Sequence, residues 1–346
     1  MGITENTCRS QLRKIYDVTT PSQFICMIIS TVLLLYFPTI IESSKTYTRY
    51  RQLERPDYEV ESVNDFWMMI PLCAALRLSK IMIAYISKSF FLRKLSPKYS
   101  DGDLTQKVDK CLKGVFKVVY FSVVFYIGLF EVLNKTNFGP RLTLGDGDHR
   151  LALGNFPYTP MPTMLKFYYM LSMSYYVEDG IGHLFQTPKF DFWEMILHHI
   201  IAFMLLLDSY INGLWIFAVL ILPQMDFEDI WIGLIRCTMD YCHDAVTLVI
   251  YSTICISWIW MRFLVFGYVI FYSFSFTCRV SLDNDTRIIM FNNLCLVTLT
   301  GLNIYWFILL LKMGLGFLKN NKCEDMQAVL NLECDKTKQK EIKNLN

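Results

Sequence analysis

The chain of 346 residues is 53% hydrophobic and 15% aromatic, with 18% charged residues and a net charge of +2. A soluble domain of this length rarely carries such a balance, so the composition points to a polytopic membrane protein. The small, unevenly spread charge excludes nucleic acid as a partner class. Eleven cysteines without a C-x-x-C pair favour buried thiols over a disulfide framework or zinc ribbon.

From the N-terminus, residues 1–21 carry Arg9, Arg13 and Lys14 and no cleavable-signal pattern, so the first span, 23–41, is expected to be retained. A polar loop with Arg49, Arg51 and Arg55 leads to a second span at 65–86. The loop 88–112 holds Lys88, Arg93, Lys94, Lys98, Lys107 and Lys110, which places it in the cytosol by the positive-inside rule. A third span follows at 114–133. The segment 134–162, with GDGD and Pro140, Pro157, Pro160 and Pro162, reads as irregular structure. It contains the sequon Asn134-Lys135-Thr136, usable only on the lumenal side.

Further spans are expected at 163–185, 193–212, 214–233, 245–274 and 288–318, each near the ~20 residues needed to cross hydrocarbon. The fold class is thus an all-α polytopic membrane protein with about seven to eight transmembrane helices. Eight crossings put both termini on one side, and Lys319, Lys322, Lys336, Lys338, Lys340 and Lys343 make that side the cytosol. Asn284-Asp285-Thr286 then lies in the lumen with the first sequon.

Function is concentrated between Asp191 and Asp229. The stretch opens DFWEMILHHIIAFML and closes ILPQMDFED, so His198 and His199 are followed some thirty residues later by Asp226 and Asp229 in an apolar background. Ionisable groups are costly in a bilayer and persist there with a partner or a task. The acids, spaced i, i+3, share a helix face. His198 lies roughly 8 Å inside the fifth span at ~1.5 Å per residue, and the sixth span returns toward the cytosol near Asp229, so both halves reach a similar depth. A histidine held by a carboxylate has a fixed tautomer and a more basic free nitrogen, which suits a general base or nucleophile toward an acyl carbonyl.

These residues carry a resemblance. The segments FPYTPMPTMLKFYYMLSMSYY (156–176), DFWEMILHH (191–199), SYIN (209–212), DFED (226–229) and GLNIYWF (301–307) resemble the TLC-domain superfamily and, within it, the ceramide synthases. The resemblance implies a TLC-domain bundle with a central polar acyl tunnel over 63–318. A first helix and short loop, 1–62, would precede it, and a cytosolic polar tail, 319–346, would follow. It implies transfer of a fatty acyl group from acyl-CoA to the amine of a sphingoid base, with residence in the endoplasmic reticulum membrane. His198 would be the acyl-accepting nucleophile or base and Asp229 its orienting acid, with His199 and Asp226 assisting. Two positions depart from the family pattern: Met225 stands where a histidine is usual, and Glu228 where a small polar residue is common.

Glu178 and Asp179 close the YYVED stretch, and Arg77 and Lys80 lie in the second span. The acids would attract the protonated sphingoid amine and the bases meet CoA phosphates, unless they pair with one another or snorkel to the interface. Glu178, Arg77, Arg262 and Asn212 complete the expected substrate-binding set. Arg262 either lines the polar interior or pairs with an acid. His149, His183 and His243 are expected in solvated or core roles. The many Tyr and Phe residues of 167–176 would wall an acyl tunnel or simply pack. No tightly bound cofactor and no metal are expected, since five histidines without an HxxxH or HxxHH box fall short of a di-iron ligand set. The competing class is a non-enzymatic lipid-sensing or translocation-associated protein, which would not need the intact His and Asp pairs. A homo- or heterodimer is left open.

Overall fold

In the computed structural model, residues 21–58, 61, 63–186, 191–280 and 286–320 are described. The basic N-terminus, Asn284 with most of its sequon, and the lysine-rich tail beyond 320 lie outside them. Eight long helices account for nearly all of the described chain. They are α1 (Pro21–Glu54), α2 (Met69–Leu95, entered through a 3-10 turn at Val63–Met68), α3 (Asp101–Tyr126) and α4 (Thr163–Leu184). After them come α5 (Phe192–Ile211), α6 (Trp215–Thr238), α7 (Asp244–Trp258) and α8 (Thr286–Asn320). Helix α3 continues through a π segment at Ile127–Leu133, and α7 through another at Ile259–Val265 into Phe266–Val280. No strand occurs among the described residues.

Six of the eight are long and apolar enough to cross a membrane. The other two, α4 and α6, interrupt their apolar runs with Glu178 and Asp179 and with Asp226, Glu228 and Asp229. Large apolar side chains such as Leu35, Tyr85, Ile86, Ile256 and Phe271 stand exposed on the outside of α1, α2 and α7. So much uncovered apolar surface suits lipid as the surrounding solvent. The chain is a multi-pass helical membrane protein.

The most intimate pairing is α3 against α6. A Cβ added at Gly114 would lie 2.6 Å from Cys237 Sγ and 2.8 Å from the Gly233 carbonyl oxygen, and one added at Gly233 would lie 3.0 Å from the Gly114 oxygen. Small residues let the two backbones approach, as helices in lipid commonly require. Around this pair, α2 packs on α3 and α4, α4 on α5, and α1 on α5 and α8, while α7 closes the bundle against α6 and α8.

Helix α1 runs well past residue 41 because its last turns are an anchor rather than a span. Arg51 is fully buried and donates from Nη2 to the Ile211 carbonyl at 2.5 Å, with Glu61 3.9 Å from Nη1. A cation at the carboxyl end of α5 meets the carbonyls left open there. Gly213, at φ +73°, turns the chain directly beneath it. The segment 137–162 folds over the same end of the bundle. Gln224 donates to the Thr143 carbonyl at 3.1 Å, Tyr58 to that of Thr159 at 3.0 Å, and His149 is buried against the rings of Tyr268 and Tyr272.

Candidate active site

His198 and His199 sit side by side on α5 with ring centroids 5.7 Å apart, but successive residues on a helix face different neighbours. His198 turns toward α8 and the bundle interior, its ring 5.4 Å from that of Trp306 and nearly perpendicular to it. His199 turns toward α4, where its Nε2 is 3.7 Å from Asp179 Oδ2 and its ring packs over Gly180. Tyr176 lies about equally near both, at 6.0 and 6.1 Å. Neither ring nitrogen of His199 has a hydrogen-bond partner.

The acids of α6 are engaged elsewhere. Asp226 accepts a hydrogen bond from the buried Tyr168 hydroxyl of α4. Asp229 is shared by Lys117 of α3 at 3.8 Å and Arg262 of α7 at 4.0 Å. No hydrogen bond or ion pair among the described residues joins His198 to Asp229, so the expected direct orienting contact is absent from this arrangement. The cause is the α3–α6 crossing. Lys117 lies one turn beyond Gly114 and Asp229 one turn before Gly233, and the antiparallel contact that brings the glycines together brings these two side chains together as well. Glu228, one of the two departures from the family pattern, is fully buried and faces Ser257 and Arg262 of α7.

A cavity with about 820 Å³ of empty space, including its open mouth, runs between α5, α6, α7 and α8. Each helix presents one face to it: His198, Ala202, Leu205 and Ser209 from α5, Phe217, Ile221 and Met225 from α6, Phe266 from α7, and Leu296 and Leu299 from α8. The walls are overwhelmingly apolar and polarity is confined to the ends. Tyr176, His198, Arg262 and Asn303 stand at one end, Ser209, Ser273 and Asn292 at the other. Arg262 belongs to the π segment of α7, a local distortion that often marks functional positions. It donates to Asn303 Oδ1 at 2.9 Å, lies 4.5 Å above the Trp258 ring and stands 4.0 Å from Asp229 Oδ2, so it both lines the interior and pairs with an acid. Measured along the helices, the polar ends are eleven residues apart on α5, on α7 and on α8, or ~16 Å at 1.5 Å per residue.

The remaining expected substrate-binding residues are placed differently. Glu178 is bound by Lys80 of α2 and lies 3.4 Å from the largely exposed Arg77, the mutual pairing that competes with a ligand role. Asn212 lies fourteen residues beyond His198, ~21 Å along the axis. Its side-chain amide donates to Asp208 Oδ1 at 2.9 Å and Ser44 Oγ at 3.0 Å. Its donors are thus engaged by protein acceptors at the far end of α5. His183 contacts the Phe192 carbonyl at 3.3 Å, and His243 caps α7 by accepting from the Ala245 amide at 3.2 Å. Lys117 escaped the sequence-based site, although a lone lysine in GVFKVVY was its signal. Among the described residues no three His, Cys, Asp or Glu side chains converge as a metal site would require.

The profile of the TLC domain family matches residues 110–312, more than half of the chain. The chain belongs to the TLC-domain family. Among relatives of this TLC-domain protein, the ceramide synthase hyl-2 of Caenorhabditis elegans is 22% identical over 80% of this chain and 87% of its own length. The sphingosine N-acyltransferase lac1 of Schizosaccharomyces pombe is 29% identical over 62% of this chain and 56% of its own. The ceramide synthase LOH2 of Arabidopsis thaliana is 24% identical over 64% and 74%.

Proposed function

We propose that this TLC-domain protein is a ceramide synthase of the endoplasmic reticulum membrane, transferring a fatty acyl group from acyl-CoA to the amine of a sphingoid base. The observation that carries the reading is the position of His198 at the polar end of a long apolar cavity. A thioester carbonyl beside His198 leaves its hydrocarbon tail among Ala202, Leu205, Phe266 and Leu296, where apolar burial holds it. The names of the three relatives support the same activity.

In this reading His198 accepts the acyl group or takes a proton from the attacking amine. Arg262 and Asn303, hydrogen-bonded to each other at the same end, offer donors to the carbonyl oxygen as it gains charge. Asp229 assists through Arg262, and Asp226 fixes Tyr168 on the facing helix. The C–S bond breaks as the amide C–N bond forms. The nitrogen, which begins as an ammonium, sheds two protons, one to the CoA thiolate and one to the medium.

The test is an acyltransferase assay in membranes from cells lacking their own ceramide synthases, with sphinganine and a series of acyl-CoAs. Wild type is expected to form dihydroceramide, and His198→Ala, expressed and inserted to the same level, is expected to form none. A properly inserted wild type that makes no product sinks the enzymatic reading in favour of lipid sensing or translocation.

A further inference from the structure

The proton that must leave the centre has a route from one of the paired histidines to an acid outside the aspartate pair. His199 is buried, with 8% of its side chain accessible, and both ring nitrogens lack a hydrogen-bond partner. The carboxylate in front of it is Asp179 of α4, 3.7 Å from Nε2 and 29% accessible. Lys80 of α2 holds that carboxylate from its other side at 3.0 Å and is itself 22% accessible. Asp179 and Lys80 are thus both more accessible than the imidazole they face, and Asp179 is the most accessible of the three. Asp179 is five residues, ~8 Å, from the end of α4 that faces the basic loop 88–112.

The charged surroundings are complete enough to assign a direction. Asp179 is faced by Lys80 from α2, Lys117 from α3 and His199 from α5. His199 is faced by Asp179 and His183 from α4, Lys117 from α3 and Asp229 from α6. Asp229 is taken up by Lys117 and Arg262, and Asp179 is the acid that ion-pairs His199 directly. We propose that Asp179, clamped by Lys80, is the positioning residue for His199 and the outlet for the proton released by acyl transfer. The proton passes from the substrate ammonium to His199, from Nε2 to the Asp179 carboxylate and from there to water. The separation of 3.7 Å closes to hydrogen-bond length when the substrate packs the site, as is common between unliganded and reacting states.

This inference rests on the acyl-transfer reading, and its test separates the two. The full-length protein is assayed in the same deficient membranes with sphinganine and palmitoyl-CoA, as wild type, Asp179→Asn, Asp179→Glu and Lys80→Gln. Asp179→Asn is expected to lower kcat about ten- to hundredfold, less than the ~10²- to 10⁴-fold that a proton-transferring side chain itself contributes. Both KM values should stay within about twofold of wild type. The deficit should shrink as pH rises, because a growing share of the amine then arrives already deprotonated. Asp179→Glu should restore most of the rate. Lys80→Gln, which keeps the carboxylate but frees it, should give a smaller loss with the same alkaline shift, and it decides the matter if Asp179→Asn fails to accumulate. A wild-type kcat and pH profile in Asp179→Asn, or a loss that Asp179→Glu does not rescue, overturns the assignment while leaving ceramide synthesis intact. No product from wild type overturns the acyl-transfer reading and this inference with it.

Discussion

If the apolar cavity holds the acyl chain, a single bulky residue part-way down it must shorten the chain the protein accepts by a computable amount. Ala202 lines the cavity one turn below His198, ~6 Å along α5. An extended chain advances ~3.5 Å per three bonds, so the full ~16 Å holds about 14 carbons, whereas the distance to Ala202 holds about five. Each buried methylene contributes ~0.8 kcal/mol, roughly fourfold in kcat/KM. For wild type, kcat/KM should therefore climb with acyl length up to about 14 carbons and then level. In Ala202→Phe the climb should stop at about five. Nine lost methylenes set a ceiling of ~7 kcal/mol, so palmitoyl-CoA should be used at less than about one-hundredth of the wild-type kcat/KM. Hexanoyl-CoA should stay within about fivefold of wild type. The measurement is kcat/KM across acyl-CoAs of even length in deficient membranes, by mass spectrometry of the products. Equal use of palmitoyl-CoA by Ala202→Phe and wild type would mean that the chain does not lie between α5 and α8.

Three further substitutions test the scaffold. Asp208→Ala removes the acceptor shared by Ser44 of α1, Asn212 of α5 and Asn292 of α8, and stranding these buried donors should cost about 3 kcal/mol, read as a lower Tm in detergent. Gly114→Ala should destabilise by about 1–3 kcal/mol, because the new methyl would lie 2.8 Å from the Gly233 carbonyl oxygen, and the same melting assay reads it. Burial against Tyr268 and Tyr272, followed by repulsion from Arg150, pushes the His149 imidazole below its ordinary pKa, against the pull of Asp148. The unfolded chain then binds the proton more readily, so the contribution of His149 is intact above about pH 6.5 and is lost as pH falls through the folded value. Melting curves at pH 7.5 and 5.5 should show wild type losing more stability on acidification than His149→Gln.

The sequence located all eight helices because hydropathy is a one-dimensional signal, and each expected span has a helix over it. Helix ends were less legible. Residues 42–54 are too polar to count as a span, yet they continue α1 because Arg51 is drawn to the open carbonyls of α5. At the site, the spacing of HH and DFED pointed to a histidine–aspartate pair between α5 and α6, and spacing cannot reveal how two helices rotate about their contact. The glycines at 114 and 233 set that rotation and commit Asp229 to Lys117. The acid beside His199 comes instead from α4, twenty residues upstream of it. Asn212 shows the same limit of spacing from the other side. Its place in SYIN looked like part of a site motif, whereas its amide serves the Asp208 network at the far end of α5.

The two helices that fall short as apolar spans are also the two that supply most of the acids at the centre. On their own α4 and α6 would carry Glu178, Asp179, Asp226 and Asp229 into hydrocarbon, a cost that a lone helix relieves poorly. In the bundle, Lys80 answers the first pair, Tyr168 answers Asp226, and Lys117 with Arg262 answers Asp229. These partners come from α2, α4, α3 and α7, so the polar centre is complete only once all of those helices have packed. The same contacts that make α4 and α6 tolerable in the membrane place ionisable groups beside His198 and His199. Stability and chemistry are thus coupled through Lys117 in particular. Removing it would strand the Asp229 carboxylate with Arg262 alone and leave Asp179 facing His199 with one cation fewer.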